Sequence, residues 1–241
     1  MKAIAVIPAR HAAVRFPGKP LAPLWGKPML QHVWERAAQV RGLDALIVAT
    51  DDARIERAAR AWGATVEMTS PDCTSGTDRV AEVARRHPEA DIVLNLQGDE
   101  PELDFAGVTR LIAGMRAERD VRMATLAHRA RDTSEFASEH VVKLGLDASG
   151  FAIYFTRQWP PANAGAGEIL RHIGVYGFTR EFLLTFAGWP PGEAKQAERL
   201  EQLRALERGV MIRVYMSDHL AQGIDTPEQL AELEARGPQQ E

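Results

Sequence analysis

A stretch from Pro8 to Pro20 gathers three fixed cations, Arg10, Arg15 and Lys19, around Pro17, Gly18 and Pro20. Guanidinium groups and an ammonium on a short, stiff loop suit a polyphosphate. Gly18 lets the backbone approach a ligand closely, and the two prolines restrict the loop. The same residues also read as a solvated, arginine-rich surface loop. The order GxxxxGK[ST] is absent, so the stretch is not a P-loop. Of the 29 basic residues only five are Lys, at 2, 19, 27, 143 and 195, which gives a Lys inside a motif more weight here.

A second cluster is Asn95-Leu96-Gln97-Gly98-Asp99-Glu100-Pro101. Carboxylates directly after a buried strand suit Mg²⁺, which takes one or two of them and fills its shell with phosphates and water. Helix capping by Asp99 or Asp104 explains one acidic residue equally well, but not the whole cluster. Asp225, in Gly223-Ile224-Asp225-Thr226-Pro227, is a candidate second carboxylate for the same ion. Ser75-Gly76-Thr77-Asp78-Arg79 opens a helix and reads either as an anion or base-edge site or as ordinary capping. Arg171, His172 and Tyr176 surround one strand. Glu198 to Arg204 reads, on its own, as an amphipathic helix with surface charges. Cys73 carries no nucleophile signature.

The elements that must hold these residues follow from periodicity. Ala3–Ile7, Leu46–Ala49 and Ile92–Leu96 are short apolar runs, read as buried strands. Met29–Val40, Ala53–Trp62 and Asp78–Arg86 lie between them, with Leu30, Val33, Trp34 and Ala37 at helical spacing in the first. A further helix is expected near Phe105–Arg116. Strand–helix alternation of this kind predicts an α/β fold of Rossmann type, with a mostly parallel central sheet flanked by helices. The Arg-rich loop then follows the first strand, at the carboxyl edge where open α/β sheets bind ligands.

The rhythm changes from about residue 121. Arg122–Ala127, Val141–Asp147, Ala152–Thr156 and Val175–Phe178 read as strands, with a turn at Asp147–Gly150 and a Pro/Gly/Ala loop at Pro160–Gly167. A helix is expected over Ala194–Arg208, ended by Gly209, then a strand at Met211–Met216 and a last helix capped by Thr226 with Pro227 in its first turn. No long linker or repeat divides the chain. Residues 1–241 are read as one domain, with a smaller strand-rich lobe within roughly 121–190 that supplies a dimer surface.

Composition narrows the function classes. With 29 basic and 33 acidic residues the net charge is −4, which offers no general field for nucleic acid. One cysteine rules out an intrachain disulfide framework. No apolar run approaches the roughly 18–20 residues of a membrane span, and the apolar start is too short for a signal peptide. A cytoplasmic protein is expected.

Taken together and in this order, these blocks resemble the 3-deoxy-manno-octulosonate (Kdo) cytidylyltransferases, the CMP-Kdo synthetases. The resemblance runs from Ile4 to about Leu233. It rests on Ile7-Pro8-Ala9-Arg10, Arg15 to Leu21, Ala49-Thr50-Asp51, Ser75 to Arg79, and Gln97 to Pro101. It continues in Tyr154-Phe155-Thr156-Arg157, Leu170 to Tyr176, Leu200-Glu201-Gln202-Leu203-Arg204, and Gly223 to Pro227. The resemblance implies Mg²⁺-dependent transfer of CMP from CTP to the anomeric hydroxyl of Kdo, with release of pyrophosphate. It also implies a homodimer, a cytoplasmic location, and a place in lipopolysaccharide synthesis. By position, Arg10, Arg15 and Lys19 would hold the CTP phosphates, and Asp99 and Asp225 the Mg²⁺. Ala9, Ser75, Arg79 and Gln97 would lie near the cytidine or its junction with the sugar. Arg157, His172, Tyr176, Glu201 and Gln202 would face the sugar.

Four places depart from the family pattern: Ala13 for Ser, Ser138-Glu139-His140 for Pro-Asn, a shortened Gln158–Glu168 segment, and Gly192-Glu193-Ala194-Lys195 for Ser-Pro-Leu-Glu. Most fall on the sugar side. They keep open an acceptor such as 8-amino-Kdo or a nonulosonate. A sugar-1-phosphate nucleotidyltransferase would leave the Asp-Thr-Pro and Leu-Glu-Gln blocks unexplained. A catalytically dead nucleotide-binding protein would have no need of both carboxylates and all three cations.

Overall fold

The computed structural model describes residues 1–12, 15–130, 133–159, 168–190, 198, 200–220 and 223–238. Ala13, the loop at 160–167, the 192–195 departure and the start of the helix expected at 194 lie outside the described residues.

The first strand, β1 (Ala3–Ala9), sits at the heart of the sheet because its apolar residues serve both faces. Ala3, Ala5, Ile7 and Ala9 join one core cluster, while Ile4 and Val6 join the other. A two-residue hairpin follows, β2 (Pro23–Leu24) and β3 (Lys27–Pro28), turned by Trp25 and Gly26 at positive φ. Then come α1 (Met29–Ala37), β4 (Ala45–Thr50), α2 (Ala53–Ala61), β5 (Thr65–Met68), α3 (Gly76–Arg86), β6 (Ile92–Asn95) and α4 (Phe105–Ala117). The second half holds β7 (Met123–Arg129), β8 (Lys143–Leu146), β9 (Ala152–Thr156), β10 (Leu170–Thr179), α5 (Arg180–Ala187), α6 (Leu203–Leu206), β11 (Ile212–Ser217) and α7 (Pro227–Arg236).

The main sheet has the order β11-β7-β10-β6-β1-β4-β5, with β8 and β9 attached off this path at the start of β10. Strand pairs β6/β1, β1/β4, β4/β5 and β7/β11 are parallel, and β10 alone runs against both neighbours. The expected mostly parallel α/β sheet is therefore present. Strands β7 and β10, from the strand-rich stretch, belong to the main sheet itself; β8 and β9 form the projecting hairpin. Helices α1, α2 and α4 cover one face through Leu30, Val33, Ile55, Val108 and Leu111, and α3 and α5 cover the other through Val80, Val83, Phe182 and Phe186.

Four elements were not expected from periodicity: the short strands β2 and β3, β5, and α5. The helix expected over Ala194–Arg208 is corrected among the described residues: Glu198 is helical, but Leu200 has no regular structure, Glu201 and Gln202 form a turn, and Leu203–Leu206 is the single turn α6. Its sequence alternates like a surface helix, yet Gln202 and Arg204 are 1% and 3% exposed. Arg204 lies on the Phe186 ring at 4.2 Å and donates to Trp189 O at 2.8 Å, so the segment is pulled inward onto α5.

One small apolar cluster decides where the chain's end goes. Ile224, Leu230 and Leu233 pack on Leu24 and Met29, docking α7 on the β2–β3 hairpin. Burying side chains of this kind stabilises by about 1.5–3 kcal/mol each. The loop before α7 is thereby brought beside the Arg-rich loop after β1.

Candidate active site

The carboxyl ends of β1 and β6 meet closely. A Cβ on Gly98 would lie 2.9 Å from Pro8 O, so glycine lets the loop after β6 press on the end of β1. The loop after β1 is held by Gly18 N to His11 O (2.9 Å), with Gly18 at φ 76°. The next turn presents Lys19, whose side chain is largely enclosed.

Lys19 is the hub of this end. Its Nζ donates to Asp99 Oδ2 at 2.6 Å and to Ile224 O at 2.7 Å, and lies 3.6 Å from Asp225 Oδ1. Arg15 reaches the same Asp225 oxygen at 3.0 Å. Ile224 N donates to Asp99 O at 2.9 Å, tying the two loops through their backbones. The Asp225 loop is fixed from behind, since Asp225 N donates to Gln229 Oε1 at 2.7 Å, part of the Thr226–Gln229 capping box of α7. The structure thus brings together Arg15, Lys19, Asp99 and Asp225. Arg10 stands exposed just beyond Ala9, which is buried at the end of β1.

Glu100, next to Asp99, is buried, and one of its carboxylate oxygens has no partner among the described residues. Burial, and then the Asp99 charge, push its pKa up to about 8. Among the described residues no three acidic, His or Cys side chains converge as metal ligands. Two hard carboxylates meeting on one cation fit Mg²⁺, which completes its shell from substrate phosphates and water.

The start of α3 flanks this centre. Ser75 caps the helix by accepting from Asp78 N at 3.1 Å, and Asp78 Oδ2 accepts from Ser75 N at 2.9 Å. Capping, one of the two readings of this block, is therefore present. Arg79 is buried, with Asp51 at 3.2 Å and a bond to Thr69.

A second group forms around β10. Between Ile173 and Tyr176 the pairing with β7 shifts register, a bulge that re-aims the side chains on either side. Gly174 lies in that bulge, where a Cβ would come within 3.3 Å of Gln97 and Glu100. This close approach joins the second group to the loop after β6. Tyr176 OH donates to Gln202 Oε1 at 2.9 Å, and the Gln202 Nε2 amide is buried without a partner among the described residues. Burial drives the Tyr176 pKa well up, so its phenol stays a donor. Glu201 accepts from Thr77 Oγ1 at 2.6 Å and from Arg204 at 3.1 Å, linking this turn to α3.

His172 packs against the rings of Phe155 and Tyr176, with centroids at 5.1 and 5.5 Å. Thr125 Oγ1 donates its one proton to Val175 O at 2.7 Å, so it accepts from His172 Nε2–H at 3.0 Å. This assigns the tautomer and makes Nδ1 an acceptor. Desolvation lowers the His172 pKa to about 3, with help from the Arg157 charge, so the ring is neutral near pH 7. Thr125 and Lys143 also hold this group and were given no role in the sequence, nor were Thr77 and Asn95, although both lie in blocks quoted there. The Thr125 partner, His172, is distant in the chain, so no local pattern marks that contact.

A sheet of this order, with cations and two carboxylates at the ends of β1 and β6, has counterparts. The family model for cytidylyltransferases matches residues 4–212. The chain belongs to the cytidylyltransferase family. Among curated members, a 3-deoxy-manno-octulosonate cytidylyltransferase of Geobacter sulfurreducens is 46% identical, covering 97% of this chain and 98% of its own. One from an Anaeromyxobacter species (strain Fw109-5) is 49% identical over the whole of both chains. A solved structure described as CMP:2-keto-3-deoxy-manno-octonic acid synthetase complexed with CTP is 43% identical, with TM-score 0.91 over 98% of each chain. A 4-diphosphocytidyl-2C-methyl-D-erythritol synthase from Anaerococcus prevotii, at 16% identity and TM-score 0.63, shares the fold.

Proposed function

We propose that this cytidylyltransferase transfers CMP from CTP to the anomeric hydroxyl of Kdo, giving CMP-Kdo and pyrophosphate. One observation of the geometry carries the reading: Lys19 joins Asp99 and Asp225 beside Arg15, assembling cations and carboxylates from three distant loops. The near-full-length likeness to enzymes named for Kdo supports the choice of acceptor.

In this reaction the sugar hydroxyl oxygen bonds to the α-phosphorus as the bond to pyrophosphate breaks. Such transfer depends on positioning and charge neutralisation more than on a covalent nucleophile. Arg10, Arg15 and Lys19 bind the triphosphate and stabilise the charge that develops on pyrophosphate. Ala9, Ser75, Arg79 and Gln97 line the cytidine side. Asp99 and Asp225 would hold Mg²⁺, which when bound supplies charge neutralisation and favours ionisation of the attacking hydroxyl. Arg157, His172, Tyr176, Glu201 and Gln202 face the sugar, with the unpartnered Gln202 amide and the His172 Nδ1 lone pair as donor and acceptor for it.

The same reading makes the protein a cytoplasmic homodimer supplying activated sugar for lipopolysaccharide. Exposed Ile153 on β9 and Trp159 just after it, at 48% and 63% exposure, support a surface on the projecting hairpin. The net charge of −4 supports a small-molecule partner over nucleic acid. Among the described residues no helix is long and apolar enough to cross a membrane.

The test is pyrophosphate release from CTP and Mg²⁺ with Kdo, then with 8-amino-Kdo and nonulosonates. Release with Kdo is the expected result; release only with another keto-acid sugar would move the specificity. Asp99→Ala and Asp225→Ala should each abolish turnover with every acceptor while circular dichroism stays unchanged. Substantial activity in either variant would remove the metal assignment.

A further inference from the structure

Lys143 on β8 is fully buried, yet no carboxylate lies within ion-pair distance of it among the described residues. Its ammonium donates to two backbone carbonyls, Ser138 O at 2.8 Å and Arg157 O at 2.5 Å. Burying an ammonium costs several kcal/mol, and an apolar residue of similar volume would fill the same space without that cost. The amine does something an apolar chain cannot: it ties the turn before β8 to the end of β9.

What it ties is Arg157. The Arg157 N–H donates to Glu198 Oε2 at 2.8 Å, so the residue is gripped on its amide side by Glu198 and on its carbonyl side by Lys143. Its guanidinium donates to Glu198 O and to Glu139 O, both at 3.1 Å. Glu139 follows Ser138, the other end of the Lys143 tie. The guanidinium is close enough to bias both His172 and Tyr176 electrostatically, which places its charge at the acceptor group.

We propose that Lys143 is a positioning residue for the acceptor: by fixing the Arg157 peptide against the Ser138–His140 turn, it sets where the Arg157 guanidinium meets the acidic sugar. This rests on the reading that Arg157 faces the sugar. Lys143 itself touches no substrate. Burial lowers its pKa; the charges of Glu139 and Glu198 oppose that, and the Arg157 charge adds to it.

The experiment is steady-state kinetics of pyrophosphate release with CTP, Mg²⁺ and Kdo, on wild type, K143M, R157A and the double variant. Losing the tie should raise the Kdo KM about tenfold and leave the CTP KM within about twofold. In the R157A background, K143M should add less than about twofold, because both act through one group. Equal changes in both KM values, a fall in kcat alone, or additive effects in the double variant would overturn the proposal. If K143M does not fold, K143Q, which keeps one donor, should show a smaller rise confined to Kdo; an unchanged Kdo KM there would overturn it. A wild type inactive with Kdo would overturn the functional reading, and this proposal with it. An active wild type with an unchanged Kdo KM in R157A would remove the Arg157 assignment on which Lys143 depends.

Discussion

His172 illustrates what burial does to a single side chain. A lone histidine in a sequence suggests an acid or base, but desolvation takes this one down to about 3 from 6.5. Its use near neutrality is then as a fixed hydrogen-bonding ring rather than a proton carrier. The lowered folded-state pKa has a signed consequence. Between about pH 6.5 and 3 the unfolded chain binds a proton that the folded chain refuses, so stability falls as pH falls through that window. Denaturant unfolding measured across it should show a slope in His172→Gln shallower than wild type by up to about 1.4 kcal/mol per pH unit. Equal slopes would show that His172 titrates normally in the folded state. Gln202 teaches the complementary lesson. In the chain it sits in a run of Glu, Leu and Arg that reads as a surface helix, and only Tyr176 and Arg204, folded onto distant partners, turn it inward.

At the level of elements, the parts built from local pattern were legible and the parts built from distant contact were not. Strand β1 announces itself by an unbroken apolar run, and α7 by Thr226, Pro227 and Gln229 in capping order. Strand β5 has only Val66 buried, too little for a periodic signal, and α5 begins directly after β10 with no intervening turn residues. The antiparallel insertion of β10 between β6 and β7 cannot be read from its own residues at all, because direction is set by the neighbours it joins. The candidate site was legible for the loops after β1 and β6 by residue type. The tie between them and Asp225 needed the packing of Ile224 on Leu24. Thr226→Ala removes the cap that steadies this loop. It should cost about 1 kcal/mol, lower Tm by about 2–4 °C, and reduce kcat beyond what the stability loss explains. A thermal melt and a rate assay on one preparation check both; an unchanged rate would separate the cap from the site.

On the scale of the whole molecule, the sheet divides the labour. The β1/β6 end gathers charge, and the β8–β9 hairpin with β10 brings in the enclosed polar groups. The projecting hairpin leaves Ile153 half exposed on β9. Under the dimer reading, sedimentation should give twice the chain mass for wild type, and Ile153→Arg should shift the equilibrium toward monomer. A monomeric wild type would refute that reading.

Lys19 has one more consequence, for how ion and nucleotide binding are linked. The chain carries its own resident counter-ion, tethered between the two carboxylates that are assigned to a metal. Asp99 and Asp225 would hold a divalent ion only where that ammonium has moved aside. A bound triphosphate would draw Lys19 toward its phosphates and release both carboxylates. Under the proposed reaction, Asp99 and Asp225 would therefore hold the ion more tightly with nucleotide bound than without it.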